Sequence, residues 1–122
     1  MYPTAYRRFL ALFGARRYYE GHDVLEEHWR VDRQDFYKGL IQFAVGLYHA
    51  SRGNAKGAAR LLERAQGYLE PYRPSYLGLD VEAAVERIAA ARLAVVRGAP
   101  VPRMVLTLVD PNLTPLTEEV PE

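Results

Sequence analysis

A histidine and a glutamate one helical turn apart are the first residues in this sequence whose types and spacing could do chemistry. They are His22 and Glu26, in the segment 18–30 that reads YYEGHDVLEEHWR. At about 100° per residue, Leu25 and Trp29 fall on one side of the predicted helix, which must be its buried side. His22 and Glu26 fall within or beside the same arc. The helix therefore carries an imidazole and a carboxylate toward its inward face.

The next predicted helix has a second set of polar residues on an unusual strip. Gln42 and His49 are seven residues, or two turns, apart. The same strip contains glycines at seven-residue spacing, Gly39, Gly46 and Gly53. Because glycine in a helix interior costs about 0.5–1 kcal/mol relative to alanine, we predict that a backbone or a ligand approaches this strip closely. We expect the preceding helix to lie there, which would bring its histidine and glutamate near Gln42 and His49.

Three interpretations of this His/Glu/Gln cluster between helices two and three are open. The first is a satisfied hydrogen-bond network that fixes the register of the helices, since buried polar groups are generally paired. The second is a zinc or non-haem iron site with His22, Glu26 and His49 as ligands, the minimum number for a catalytic metal. The third is a general acid/base set in a cleft floored by glycines.

The remaining sequence favours a non-enzymatic domain in which the cluster is structural or holds a small ligand. No nucleophile accompanies the cluster, and the segment 53–57, GNAKG, lacks the spacing of a phosphate-binding loop. We therefore expect no cofactor, with a divalent metal as the one alternative. A metal-dependent or acid/base enzyme of unknown substrate is the alternative function.

Two residues at the end of the second helix belong to the same candidate site. We predict that Trp29 anchors helix two against helix three as part of the core. Arg30 lies where the helix dipole favours a cation, and pairing with an anionic ligand is the alternative. The other polar residues of this helix, Glu20, Glu27 and His28, are predicted to face solvent.

Apolar periodicity predicts an all-α fold of about five helices in a compact bundle. The third helix is apolar over most of its circumference, which is typical of a central helix covered on several sides. Asp32, Asn54 and Asp80 are predicted N-caps, and Pro71 to Leu79 is predicted to be a loop. The five segments are 4–13, 15–30, 33–52, 54–69 and 81–97.

The chain changes character at residue 98. Five prolines in 98–122 disfavour helix, so we predict a single helical domain over 1–122, with the bundle in 1–97 and an extended proline-rich arm in 98–122. Met104 to Val109 is a short β-prone run that could add a strand to a second copy, making a homodimer. The acidic end contains Glu118, Glu119 and Glu122.

Helices three and four also resemble one tetratricopeptide hairpin, which leaves a protein-interaction module as a further alternative.

Composition excludes several classes of function. The net charge of +1 argues against a nucleic-acid binder that relies on phosphate neutralisation. There are no cysteines, which excludes disulfides and thiol chemistry and is consistent with a cytoplasmic location. No apolar run approaches about 18 residues and no signal-peptide pattern is present, so we expect neither a membrane span nor export.

The two polar helices resemble the DUF309 family of small bacterial and archaeal proteins. The first block matches at Tyr19, Glu20, His22, Asp23, Leu25, Glu26, Trp29 and Arg30; Asp23 departs from the glutamate more usual in the family but keeps the charge. The second block, FYKGLIQ at 36–42, is followed by Tyr48-His49, Arg52-Gly53-Asn54, Gly57-Ala58 and Leu61-Leu62. The resemblance covers about residues 6–70. It implies a small all-α bundle with no assigned activity.

Overall fold

Five α-helices form most of the chain in the computed structural model, which describes residues 1–117. The predicted all-α fold is confirmed. The predicted acidic end, with Glu118, Glu119 and Glu122, lies outside the described residues. None of the helices in 1–117 has the length and apolarity needed to cross a bilayer. The helices are α1 (Thr4–Gly14), α2 (Tyr18–Trp29), α3 (Asp35–Ser51), α4 (Ala55–Leu69) and α5 (Val81–Val96).

Two of the three predicted N-caps are confirmed. The Asn54 side chain accepts a hydrogen bond from the backbone N–H of Gly57 at 3.0 Å, and Asp80 accepts one from Ala83 at 2.9 Å. The prediction that Asp32 caps α3 is wrong. The cap residue is Gln34, which makes no side-chain capping bond, and its side-chain amide donates to the Asp32 carboxylate at 2.9 Å.

Each helix packs on the next in the chain, and α3 lies between α2 and α4. Its predicted central position is confirmed by a row of buried side chains that includes Phe36, Leu40 and Phe43. The glycine strip of α3, however, faces α4 and not α2. A Cβ atom added to Gly39 would lie 2.7 Å from Cγ of Leu69, and α4 is equally the neighbour at Gly46. The expectation that α2 approaches this strip is therefore wrong.

The segment between α4 and α5 contains local structure that the sequence did not predict. A 3-10 turn, Glu70–Tyr72, is followed by a two-stranded antiparallel hairpin of β1 (Ser75–Tyr76) and β2 (Leu79–Asp80). At the hairpin turn, Leu77 and Gly78 both have positive φ, 45° and 75°. The turn also brings a backbone carbonyl to the core, since the hydroxyl of Tyr6 donates to the Leu77 oxygen at 3.0 Å.

The arm, residues 98–117, runs in an extended conformation from the end of α5 to the beginning of α1. It forms a single bridge between Leu79 and Leu108, so the β-prone run does not become a strand. Farther along, the N–H of Leu116 donates to the carbonyl of Arg7 at 2.9 Å. Met104 and Leu113 are buried. The arm thus adds two side chains to the core beside the first and last helices.

Two buried tyrosines make the fold sensitive to alkaline pH. Burial raises the pKa of Tyr6 well above its ordinary value and raises that of Tyr37 to about 12. The unfolded chain ionises its tyrosines near pH 10, so the folded state binds these protons more tightly. We expect the free energy of unfolding to be unaffected by these residues below pH 10 and to fall as pH rises from 10 toward 12. Denaturant titrations of wild type and Tyr37→Phe at pH 8, 10 and 11.5 measure this; equal pH slopes would contradict it.

Candidate functional site

The structure brings His22 and Glu26 together on α2 and adds Asp23. Nδ1 of His22 lies 3.3 Å from Oδ1 of Asp23, and Nε2 lies 3.3 Å from Oε2 of Glu26. One ligand atom from each of the three residues lies within 4.8 Å of the others. The imidazole is 17% exposed, whereas the Asp23 and Glu26 side chains are 63% and 32% exposed.

When the imidazole carries a proton on both nitrogens, this arrangement is a cluster of ion pairs. Each ring nitrogen of His22 faces a different carboxylate, and one ligand atom from each of the three residues also lies close enough to the others to share a metal ion. Arg30 adds a cation, with Nη2 3.8 Å from Oε2 of Glu26, and its side chain is 67% exposed. Ion pairs this accessible to water contribute little to stability, typically about 0–1 kcal/mol. The cluster can orient α2 side chains but does not by itself form an enclosed site.

His49 lies outside this cluster, and among the described residues no hydrogen bond joins Gln42 to it. Nδ1 of His49 is 3.2 Å from the side-chain nitrogen of Asn54, the cap of α4. His49 is not part of the group of ligand atoms formed by His22, Asp23 and Glu26. The side-chain oxygen of Gln42 is buried without a hydrogen-bond partner in the described chain. The physical reason is the packing of α3, whose glycine strip is directed toward α4.

Trp29 joins α2 to α3 through its ring face. The Lys38 ammonium lies 4.5 Å and the Arg33 guanidinium 4.6 Å from its ring centroids, the geometry of cation–π contacts. His28, predicted to face solvent, is instead packed on Tyr37 with ring centroids 5.0 Å apart. That prediction is wrong because position 28, one turn from Leu25, already borders the buried arc.

A cavity of about 560 Å³ lies elsewhere, at the end of the bundle where α1, α3 and α5 terminate. We call it the end cavity. None of the site residues predicted from sequence lines it. The arm segment 98–103 forms one wall. The helices and the residues just past their ends contribute Arg16, Tyr18, Leu47, Tyr48, Ala50, Ser51, Gly53, Ala55 and Val95.

The three helices that end at the end cavity, α1, α3 and α5, terminate with the same backbone conformation. In each, the residue two positions past the helix has positive φ: 61° at Arg16, 76° at Gly53 and 68° at Gly98. Each also has the paired backbone bonds of a Schellman motif, such as Gly98 N–H to Val95 and Ala99 N–H to Ala94. Glycine adopts this conformation freely, whereas it costs another residue roughly 1–2 kcal/mol. Arg16 is therefore the unfavourable choice at its position.

The charge of the lining is positive. It contains two arginines, Arg16 and Arg103, and neither a carboxylate nor a histidine. Arg103 donates to the carbonyl of Gly14 at 3.3 Å, which fixes it beside the end of α1. Burial raises the pKa of Tyr18, and the positive charges of the two arginines oppose that rise. Both guanidinium groups therefore act on the same tyrosine hydroxyl.

The fold and this site define an all-α domain with a cavity of ligand size where its helices end. The predicted resemblance to the DUF309 family is confirmed over part of the chain, since the sequence model described as "Domain of unknown function (DUF309)" matches residues 6–61. That match contains α2, α3 and most of the helix-side wall of the end cavity.

A relative in Bacillus subtilis (strain 168), "Uncharacterized protein YpuF", is 42% identical over 87 residues. The alignment covers 66% of this chain and 50% of that protein, so the chain spans about half the length of this relative. No solved structure matches the chain.

Proposed function

We propose that this chain is a small-molecule-binding domain whose ligand occupies the end cavity. The cavity itself is the observation that carries the proposal. Its volume of about 560 Å³ lies within the range of known ligand pockets, about 300–1,000 Å³. Its walls combine apolar side chains such as Leu47 and Val95 with a few polar groups, which is typical of such pockets.

The lining favours binding over catalysis. General acid/base chemistry at neutral pH usually depends on histidine or a carboxylate, and the end cavity has neither. Burial raises the pKa of the Tyr18 hydroxyl, which is the opposite of the shift that a general base would need. The cluster of His22, Asp23 and Glu26 is a weaker candidate for a ligand site, since two of its three side chains are about one third exposed or more.

A neutral fluorescent probe tests the proposal directly. We expect N-phenyl-1-naphthylamine to bind at one site per chain, with an increase in fluorescence as it leaves water. Ala99→Trp should abolish this binding, because Ala99 is an exposed residue of the cavity wall and the indole would fill the space. Ser51→Trp fills the same cavity from the end of α3 and should act in the same way.

Ala90→Trp is the matched control. Ala90 is also exposed, but it lies on α5 outside the cavity. Titration of the three variants, each verified by its thermal melt, separates loss of the site from loss of the fold. The proposal is contradicted if the probe does not bind, or if both cavity-filling variants bind it as tightly as Ala90→Trp does.

A further inference from the structure

The helix ends that border the end cavity differ at one position. Gly53 and Gly98 follow α3 and α5, where glycine suits the positive φ, but Arg16 follows α1 at φ 61°. An arginine in a conformation that favours glycine indicates that its side chain has a role at that place. That side chain lines the cavity.

Neither guanidinium group of the cavity is neutralised by the described chain. Within residues 1–117, no carboxylate lies within ion-pair distance of Arg16 or Arg103. Arg103 uses one N–H on the carbonyl of Gly14, and four further donors remain. Guanidinium groups bind planar anions such as carboxylates and phosphates through paired hydrogen bonds.

Helix dipoles reduce this positive charge without cancelling it. Three helices end at the cavity, each contributing a partial charge of about −0.5, and two begin there, at Tyr18 and Ala55, each contributing about +0.5. Together with two guanidinium groups, the sum is about +1.5. The potential in the cavity therefore favours an anion.

We infer that Arg16 and Arg103 bind the anionic group of the ligand, so that the end cavity takes small amphiphilic anions with a carboxylate or phosphate head and an apolar body. The inference rests on the proposed function and names its ligand class. The apolar body packs against Leu47, Val95 and the proline-rich wall at 98–103.

Two probes that share one aromatic body test the charge preference. 1-Anilinonaphthalene-8-sulfonate is N-phenyl-1-naphthylamine with an added sulfonate. We expect the sulfonate probe to bind about tenfold more tightly at low ionic strength, and we expect this advantage to shrink as salt screens the charges. Arg16→Gln and Arg103→Gln should remove the advantage and leave binding of the neutral probe unchanged.

Two further variants control for stability and for overall charge. Arg16→Gly removes the side chain where glycine is the better backbone choice, so it should fold at least as well and still lose the preference. Arg64→Gln removes an equal charge from the exposed face of α4 and should change neither probe's affinity.

Competition between the neutral probe and small ligands with different head groups shows which head group the cavity prefers. 4-Phenylbutyrate and phenyl phosphate should compete, whereas 4-phenylbutylamine should not, and the better anion identifies carboxylate or phosphate. Equal affinity for the two fluorescent probes, unchanged by Arg16→Gln, would overturn the inference while the proposed function stands. Displacement by the amine as strong as by the anions would also overturn it. Failure of both probes to bind would overturn the proposed function itself.

Discussion

Phe36→Ala is expected to destabilise the protein by about 3–5 kcal/mol, the usual cost of emptying a buried aromatic position. Phe36 is fully buried at the start of α3. Its ring packs against four tyrosines at centroid distances of 5.0–5.8 Å: Tyr6 from α1, Tyr37 from α3, Tyr72 from the 3-10 turn and Tyr76 from β1. Loss of the ring therefore weakens contacts between four segments of the chain at once.

Denaturant titration followed by circular dichroism measures this effect. Phe36→Leu should cost only about 1.5 kcal/mol because it retains most of the volume. Val31→Ala, at a residue 87% exposed, should stay within about 0.5 kcal/mol of wild type. A Phe36→Ala variant as stable as Val31→Ala would show that this aromatic cluster does not hold the segments together.

Gly39→Ala is expected to destabilise the protein by about 1–3 kcal/mol through overpacking. The added Cβ would lie 2.7 Å from Cγ of the buried Leu69 and 3.1 Å from Cβ of Tyr68, so α3 and α4 would have to separate. The effect is opposite in sign to the intrinsic preference of a helix for alanine.

Gly67→Ala provides the control of the same chemistry. Gly67 lies within α4, and a Cβ there meets nothing within 4 Å. That substitution should stabilise the protein by about 0.5–1 kcal/mol, because only the helix preference for alanine is involved. Equal effects of the two substitutions on the denaturation midpoint would contradict the close approach of α3 and α4.

The ligand proposals and these stability predictions concern different parts of the bundle. Phe36 and Gly39 lie in the first half of α3, whereas the end cavity is formed at the other end of the same helix. A loss of probe binding in Arg16→Gln without a change in the denaturation midpoint would therefore report on the cavity and not on the core.

Much of the helical architecture could be predicted from the sequence because its causes are local. Apolar periodicity indicates the buried faces of these helices, and six residues of α5 and four of α1 at helical spacing are buried. The caps Asn54 and Asp80 act on backbone groups three residues away. Asp32 failed for an equally local reason, since α3 begins at Asp35, two residues later than predicted, and Gln34 takes the cap position.

The candidate site could be predicted only in part. His22 and Glu26 meet because they lie one turn apart on one helix, which spacing alone determines. Whether they lie near Gln42 and His49 depends on which helix packs against each face of α3. Helical periodicity shows which residues share a face, but it does not show which helix contacts that face. The glycine strip correctly indicated a close approach, but it could not tell α4 from α2.

By itself, then, the sequence determined the family resemblance, the helices and the polar turn on α2. Only the tertiary structure decided the partner of the glycine strip and the existence of the end cavity. The physical reason is separation along the sequence. Helix formation and capping depend on residues within about four positions, whereas the cavity depends on how helix ends that are far apart in the sequence meet in the fold. Arg16 and Arg103 are 87 positions apart in the sequence, and the folded chain places both on the wall of one cavity.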